Sequence, residues 1–367
     1  MRILLACLLK PEHCPRARRF ADLLSGSHSV TLLSGGVYDS DSVKNLAISK
    51  WRTGPVEKLY AFVLLLTGSF ERYLQRKNFC SSVADDYDLV FCHDALLLPD
   101  LIMRCSSARM ILDAREYYPR QFENKIVWRL SFARLYHWIF ANFLQKIHKG
   151  ITVSAGVANL YEQQYKVRFD VVPGYPAFHD IHPTPVNRRG IRLVHHGVSN
   201  ANRSLDVMIE AVQLLPQEYS LDMYLVPADQ RSFEGLCRKA GRAQRVRILP
   251  PVAPDEIIPT LNSSDIGLFV SPPATVNLQN ALPNKFFEFI QARLAVVVTP
   301  LKEVSERVLE YNVGVVTEDF SAEAIAAAIQ AMDVAALTYY KQQSHAQARE
   351  LSMLALRGKL EALVRDD

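Results

Sequence analysis

Metal-ligand spacing, nucleophile elbows and phosphate-cradling glycine loops are all missing from these 367 residues. His13, His28, His93, His137 and the pair His195-His196 lack carboxylate or cysteine companions at ligand spacing, so no zinc site is legible. There is no GxSxG, no Walker P-loop and no GxGxxG after the first apolar run. Hydrolase, ATPase and nicotinamide chemistry are thus left without support. Cysteine is sparse: Cys7, Cys14, Cys80, Cys92, Cys105 and Cys237 show neither a CxxC nor paired spacing. That pattern reads as reduced thiols of a cytoplasmic protein, three of them in apolar stretches. No uninterrupted apolar run reaches the roughly 18 residues a membrane span requires. The opening run is about seven residues long, and a basic helix follows it without a small-residue cleavage site, so a buried first strand is expected rather than a leader. Repeats of solenoid period and low-complexity tracts are absent. Basic residues do not interleave with aromatics on a nucleic-acid module, and no nucleic-acid partner is expected.

What is present is an alternation of short apolar runs with amphipathic segments, the pattern of βα units around parallel sheets. Strands are expected at Ile3–Leu8, Val30–Leu33, Leu89–Cys92, Met110–Leu112, Gly150–Val153 and Asp170–Val172, with helices over Arg16–Leu24, Val56–Arg76 and Leu97–Cys105. The stretch from Val171 to Gly190 reads as a linker. A second series opens at Ile191–His195 and closes with Gly314–Val316 and Ala322–Met332. The length suits two domains. We expect two Rossmann-like, doubly wound α/β domains over 1–175 and 190–338, facing across a cleft where ligands of this architecture bind. A helical segment, 339–367, would cross back to the first domain or cap the second.

Charge is unevenly placed. Residues 1–175 hold 23 Lys/Arg against 16 Asp/Glu, and residues 176–367 hold 19 against 22. The basic first half suits an anionic partner, a membrane surface or a phosphorylated acceptor; a solvated basic face is the competing reading.

Pro283-Asn284-Lys285-Phe286-Phe287-Glu288 is the most informative stretch. Proline before a first helical turn leaves outward N–H groups at the positive helix end, an anion site to which Lys285 adds a point charge. Glu288, one turn on, can accept from neutral hydroxyls. Anion and hydroxyls together suggest a nucleotide diphosphate and its ribose, against the bland reading of a capped surface helix. Within His196 to Ser204 a small-residue loop leads to a helix whose buried stripe is Leu205, Met208, Ile209, Val212 and Leu215. Arg203 would stand in that helix's first turn, where a bound anion would explain a cation; a solvated arginine is the alternative. Asn280, in the loop before the second helix, can both donate and accept. His93-Asp94 and Asp113-Ala114-Arg115-Glu116 end two first-half strands, at the edge where charged residues are more often functional than at the opposite one. A structural ion-pair network competes there. Lys125 to Lys149 is apolar nearly all round but interrupted by Arg129, Arg134 and His137. It reads either as a helix packed on the first sheet or as one lying in a membrane interface.

Taken in series, these segments resemble the retaining glycosyltransferases of the GT-B fold, in the large fourth sequence family that includes bacterial polysaccharide and lipopolysaccharide enzymes. The likeness runs through His93-Asp94, Asp113-Ala114-Arg115-Glu116, Ile151-Thr152-Val153-Ser154, the Gly197…Arg203 loop, Asp265–Leu268 and Leu282–Phe289. It implies Arg203, Lys285, Arg115 and His93 as catalytic groups. Gly197, Arg203, Asn280, Asn284, Lys285 and Glu288 would form the donor site, and Asp94, Asp113 and Glu116 would face the acceptor. By resemblance the activity is sugar transfer, with retention and without metal or other cofactor, from a UDP- or GDP-type sugar to a glycan or lipid-linked acceptor, with peripheral contact at the inner membrane face. A nucleotide-sugar epimerase or an inactive sugar-nucleotide binder is the alternative. Three positions depart from the family pattern: Asn280 where a first glutamate is usual, Arg115 where a histidine is, and Val198 where an arginine often stands.

Overall fold

The computed structural model describes residues 1–49, 54–200 and 203–365. Runs rich in Val, Ile and Leu between polar turns can be buried on both faces, which is what parallel strands under helical layers require. Seven of them form the first sheet: β1 (Arg2–Ala6), β2 (Ser29–Ser34), β3 (Val43–Ala47), β4 (Leu89–Cys92), β5 (Arg109–Ala114), β6 (Lys149–Thr152) and β7 (Phe169–Val171). Their order is β3-β2-β1-β4-β5-β6-β7, with every pair parallel. Six more form the second: β8 (Ile191–Ser199), β9 (Tyr219–Pro227), β10 (Val246–Leu249), β11 (Ile266–Phe269), β12 (Ala295–Val298) and β13 (Gly314–Val316). These run β10-β9-β8-β11-β12-β13, again all parallel. Both are Rossmann-like sheets, and each reverses its strand order once, at β1/β4 and at β8/β11, the points where such sheets bind ligands.

Two compact units result. The first comprises Met1–Pro173 with Thr275–Asn277 and Arg357–Asp367, and the second Gly174–Ala274 with Leu278–Leu356. Residues 174–190 carry no helix or strand and pack within the second unit, where Tyr175 sets its ring edge against Phe287 at 4.8 Å. Each unit has its own apolar core. Leu4, Val90, Met110 and Leu112 join the aromatics Tyr118, Tyr136, Phe140 and Tyr161 in one, and Leu193, Met208, Ile209, Leu268 and Val297 build the other. The stripe Leu205, Met208, Ile209, Val212 and Leu215 is buried as its period requires.

Several elements depart from the sequence reading. Strand β3 was not expected: only Val43 of its five residues is buried, so it lacks the apolar run of its neighbours. The helix expected over Val56–Arg76 is two, Pro55–Leu66 and Phe70–Lys77, because Gly68 turns the chain at φ +75°. Lys125–Lys149 is not one helix either. Ser131 leaves helical geometry and divides Ile126–Leu130 from Phe132–Phe143, and a short 3-10 turn, Leu144–Lys146, follows. The C-terminal pattern splits into Val334–Gln347 and Met353–Arg365. Strand β8 runs four residues past His195, since β9 pairs with it along its whole length. His196 to Ser199 is therefore strand, not loop. Arg203 precedes the next helix instead of opening it, for Ser204 is left-handed (φ +45°) and Leu205 is the first helical residue. Ala201 and Asn202 lie outside the described residues. All six cysteines are free thiols, and five are buried.

Candidate functional site

Register does much of the positioning. In the second unit Gly267 of β11 pairs with Val194 of β8, so His195 falls beside Leu268. His195 is fully buried, and its Nδ1 lies 2.8 Å from the Leu268 carbonyl oxygen. A carbonyl can only accept, so Nδ1 carries the proton and Nε2 presents a lone pair. Lys285 takes that lone pair, with Nζ 3.2 Å from His195 Nε2. Burial, and then the Lys285 charge, hold the imidazole far below its ordinary titration range, so it stays neutral.

Lys285 enters from the helix Asn284–Gln291, whose N-cap Pro283 is extended and whose apolar face, Phe286, Phe287, Phe289 and Ile290, is buried. The amine sits over the end of β8. A methyl group placed on Gly197 would stand 3.0 Å from Nζ, and Gly197 itself adopts φ +121°, which a side chain resists. Burial, and then Arg203 nearby, depress the Lys285 pKa well below its usual value. Arg203 is lowered by burial too. Two basic side chains held close in a desolvated place, with Glu288 alone acting in the opposite sense on Lys285, favour binding of an anion. One turn along the helix, Glu288 Oε2 stands 3.2 Å from His196 Nε2, without hydrogen-bond geometry. The structure thus brings Gly197, Arg203, Lys285 and Glu288 together at the β8/β11 switch point. Asn284 instead turns toward Gly174, where an added methyl would meet its Oδ1 at 2.3 Å. Asn280 is half-buried between the short helix Val276–Gln279 and Pro283.

In the first unit, Ala6 pairs with Cys92 and Cys92 with Leu112, which sets His93 beside Asp113 at the carboxyl edge. One oxygen of Asp113, Oδ2, receives both His93 Nδ1 at 2.7 Å and Arg16 Nε at 2.6 Å. All three residues are buried. Burial opposes ionisation of Asp113, yet Arg16 and His93 hold its carboxyl well below the usual carboxylate range. His93 stays neutral because burial outweighs Asp113. His93 Nε2, Asp113 Oδ1, one Arg16 amino group and Arg115 Nε have no partner among the described residues. Asp94, desolvated despite Arg115 alongside, is pushed up to about 6. Burial likewise raises Glu116, whose carboxylate accepts from Gln121. His93, Asp94, Asp113, Arg115 and Glu116 thus form one cluster.

Two members of these groups escaped the sequence reading. His195 was weighed only as a metal ligand, although a histidine in the last residues of an apolar strand must spend its ring nitrogens locally. Arg16 lies four residues before Phe20, on the stripe of Ala17, Phe20, Ala21 and Leu24, and a cation on a buried stripe signals a buried partner. Among the described residues no group of three His, Cys, Asp or Glu side chains could hold a metal ion. Nor is any helix there long and apolar enough to cross a membrane.

Comparison with known proteins agrees with this fold. Residues 190–332 match the family described as glycosyl transferases group 1. No curated protein matches the chain by sequence. Solved structures align over the whole chain at low identity. WaaG, a glycosyltransferase involved in lipopolysaccharide biosynthesis, aligns with TM-score 0.69 and 15% identity over 100% of both chains. Sucrose-phosphate synthase from Thermosynechococcus elongatus gives 0.73 and 13% over 100% of this chain and 98% of its own. Anabaena Alr3699/HepE, solved with UDP and glucose, gives 0.71 and 13% over 100% of both. Residues 190–332 are accordingly similar to the group 1 glycosyl transferases, in a chain with the two-domain GT-B fold.

Proposed function

We propose that this protein transfers a sugar from a nucleotide diphosphate donor to a glycan or lipid-linked acceptor, with retention of configuration and without a metal. The observation that carries the reading is the buried Lys285 amine, fixed by His195 over Gly197 with Arg203 beside it. Such a pair stabilises a departing diphosphate by preorganised charge, the term that usually dominates this kind of catalysis. Glu288 would accept from the ribose hydroxyls. The leaving phosphate can take the acceptor proton, which dispenses with a paired-carboxylate base. Solved neighbours bound to UDP and glucose, or to UDP-glucose, favour a UDP-sugar.

The test is ligand-induced stabilisation across UDP-, GDP-, ADP- and CMP-sugars, since binding raises the melting temperature by mass action. One nucleotide class should stabilise the protein. Lys285→Ala should weaken that diphosphate by about 1–3 kcal/mol while leaving the bare nucleoside nearly unchanged. Equal losses for both would remove Lys285 from the phosphate site. The anomeric configuration of the product, read by NMR, decides retention.

A further inference from the structure

Two cysteines bracket the turn that leaves the first strand. Cys7 directly follows β1, and its N–H donates to the Leu33 carbonyl of β2 at 2.9 Å. Cys14 is the N-cap residue of the helix Pro15–Leu24, whose Arg18 N–H donates to the Cys14 carbonyl at 3.2 Å. The Cys14 N–H in turn donates to Pro11 at 3.0 Å, closing the 3-10 turn Pro11–His13. This path folds the chain back so that the two thiols, both buried, hydrogen-bond each other.

The two sulfurs have different surroundings. Cys14 stands at the positive end of a ten-residue helix, and its side chain makes no cap bond there. The hydrogen bond from Cys7 lowers the Cys14 thiol to about 7 against opposing burial, with Arg115 and the Leu9 backbone acting in the same sense as Cys7. That same bond, and then burial, pushes Cys7 far up, so it keeps its proton. A thiolate at a helix N-terminus, beside an arginine and touching a protonated thiol, has what two-step oxidation needs: one sulfur attacks and the other resolves. Cys80, Cys92 and Cys105 show the contrast, since burial, the chief influence on each, raises all three. Neither sulfur of the pair reaches bulk water, but Leu9, Lys10, Glu12 and His13 in the turn between them are exposed. Local opening of that turn admits a small oxidant while the sheet stays intact.

We propose that Cys7 and Cys14 form a modification site, a dithiol that peroxide converts reversibly to a disulfide beside Asp94 and Arg115. The Cys14 thiolate attacks one peroxide oxygen, the O–O bond breaks, and the departing hydroxide is protonated to water. The Cys7 sulfur then attacks the Cys14 sulfenic acid, the S–O bond breaks, and a second water carries away the Cys7 proton. The two thiols lose two electrons and one peroxide gains them. The helix tethered by this bond carries Arg16, which holds Asp113 at 2.6 Å. On the transferase reading, the disulfide therefore puts the acceptor-side cluster under redox control; the chemistry of the pair does not depend on that reading.

The test treats reduced, folded, full-length protein with hydrogen peroxide, then unfolds and alkylates it with N-ethylmaleimide. Pro11 follows Lys10, so trypsin leaves both cysteines in one peptide, Ile3–Arg16. That peptide should emerge unalkylated and two hydrogens lighter, and dithiothreitol should restore both thiols. Cys7 and Cys14 should disappear together, at least about tenfold faster than Cys92 or Cys105. Cys14→Ser, which keeps a good helix cap, should leave Cys7 alkylatable. Cys7→Ala should halt at a Cys14 sulfenic acid that dimedone traps. The wild-type peptide map decides even if a variant fails to fold. Retention of both thiols in wild type, or their loss no faster than Cys92 and Cys105, overturns the inference. A cross-link from Cys14 to Cys237 of another molecule overturns it as well. Stabilisation of the reduced protein by sugar nucleotides tests the transferase reading separately, so the two can fail independently.

Discussion

Lys285 shows how burial turns a binding charge into a proton-linked one. In the free protein, desolvation and then Arg203 depress its pKa well below normal. A bound diphosphate would offset both and raise that pKa, so the complex holds more protons than its parts. Donor binding should therefore take up a proton at pH values between the pKa of the free protein and that of the complex. Affinity should rise as pH falls through the pKa of the complex, and level off below that of the free protein. Titration calorimetry in two buffers of different ionisation enthalpy measures the uptake directly. Lys285→Met should abolish it, and absence of uptake in the parent protein would show that the amine is already charged when the site is empty.

Strand ends, not loops, carry the phosphate-side geometry. Because β9 pairs with β8 as far as Ser199, Gly197 is held in a ladder and cannot move away from Lys285. Gly197→Ala would add a methyl 3.0 Å from Nζ and 3.4 Å from Cε, at φ +121°. Backbone strain at such a position costs about 1–3 kcal/mol. The expected result is a loss of diphosphate affinity of about tenfold or more, with nucleoside affinity nearly kept. Nucleotide titrations check it; parallel losses for the two ligands would mean that β8 itself had shifted.

At the scale of the molecule, the chain's last segment belongs with its first unit. Arg357–Asp367 groups with Met1–Pro173, and Leu360, Leu363 and Val364 are buried. Arg109 donates to the Val364 carbonyl. Truncation after Leu356 should cost the first unit roughly 5 kcal/mol, the scale of three aliphatic side chains returned to water. Trp51, Trp128 and Trp138 all lie within residues 1–173, so fluorescence during urea unfolding reports that unit. The expected outcome is a lower midpoint in fluorescence; an unchanged midpoint would leave the terminal helix a passive attachment.

The sequence by itself determined the two βα series, the helix behind Pro283 and the buried stripe from Leu205. Each rests on local spacing, which a single stretch of chain contains. It also marked Lys285 and Arg203, because a cation at the positive end of a helix is locally unfavourable and asks for an explanation, and Glu288, one turn on from Lys285, as an acceptor for hydroxyls of the same ligand. It could not decide where strands end, since β8 is extended by its pairing with β9 and not by its own residues. Arg16, Asp113 and His93 meet only through the register of three strands, with Arg16 and Asp113 97 positions apart. His195 becomes a fixed acceptor for Lys285 only because Leu268 of β11 lies alongside. In the aromatic run Lys125–Lys149, where core packing is the commoner reading and a membrane interface the other, tertiary packing buried Leu135, Tyr136, Ile139 and Phe140 and left Ile126, Val127 and Leu130 open, as it did the outer face of Pro55–Leu66. Hydrophobic period tells that a helix has an apolar face. Which neighbour covers that face is a property of the whole fold.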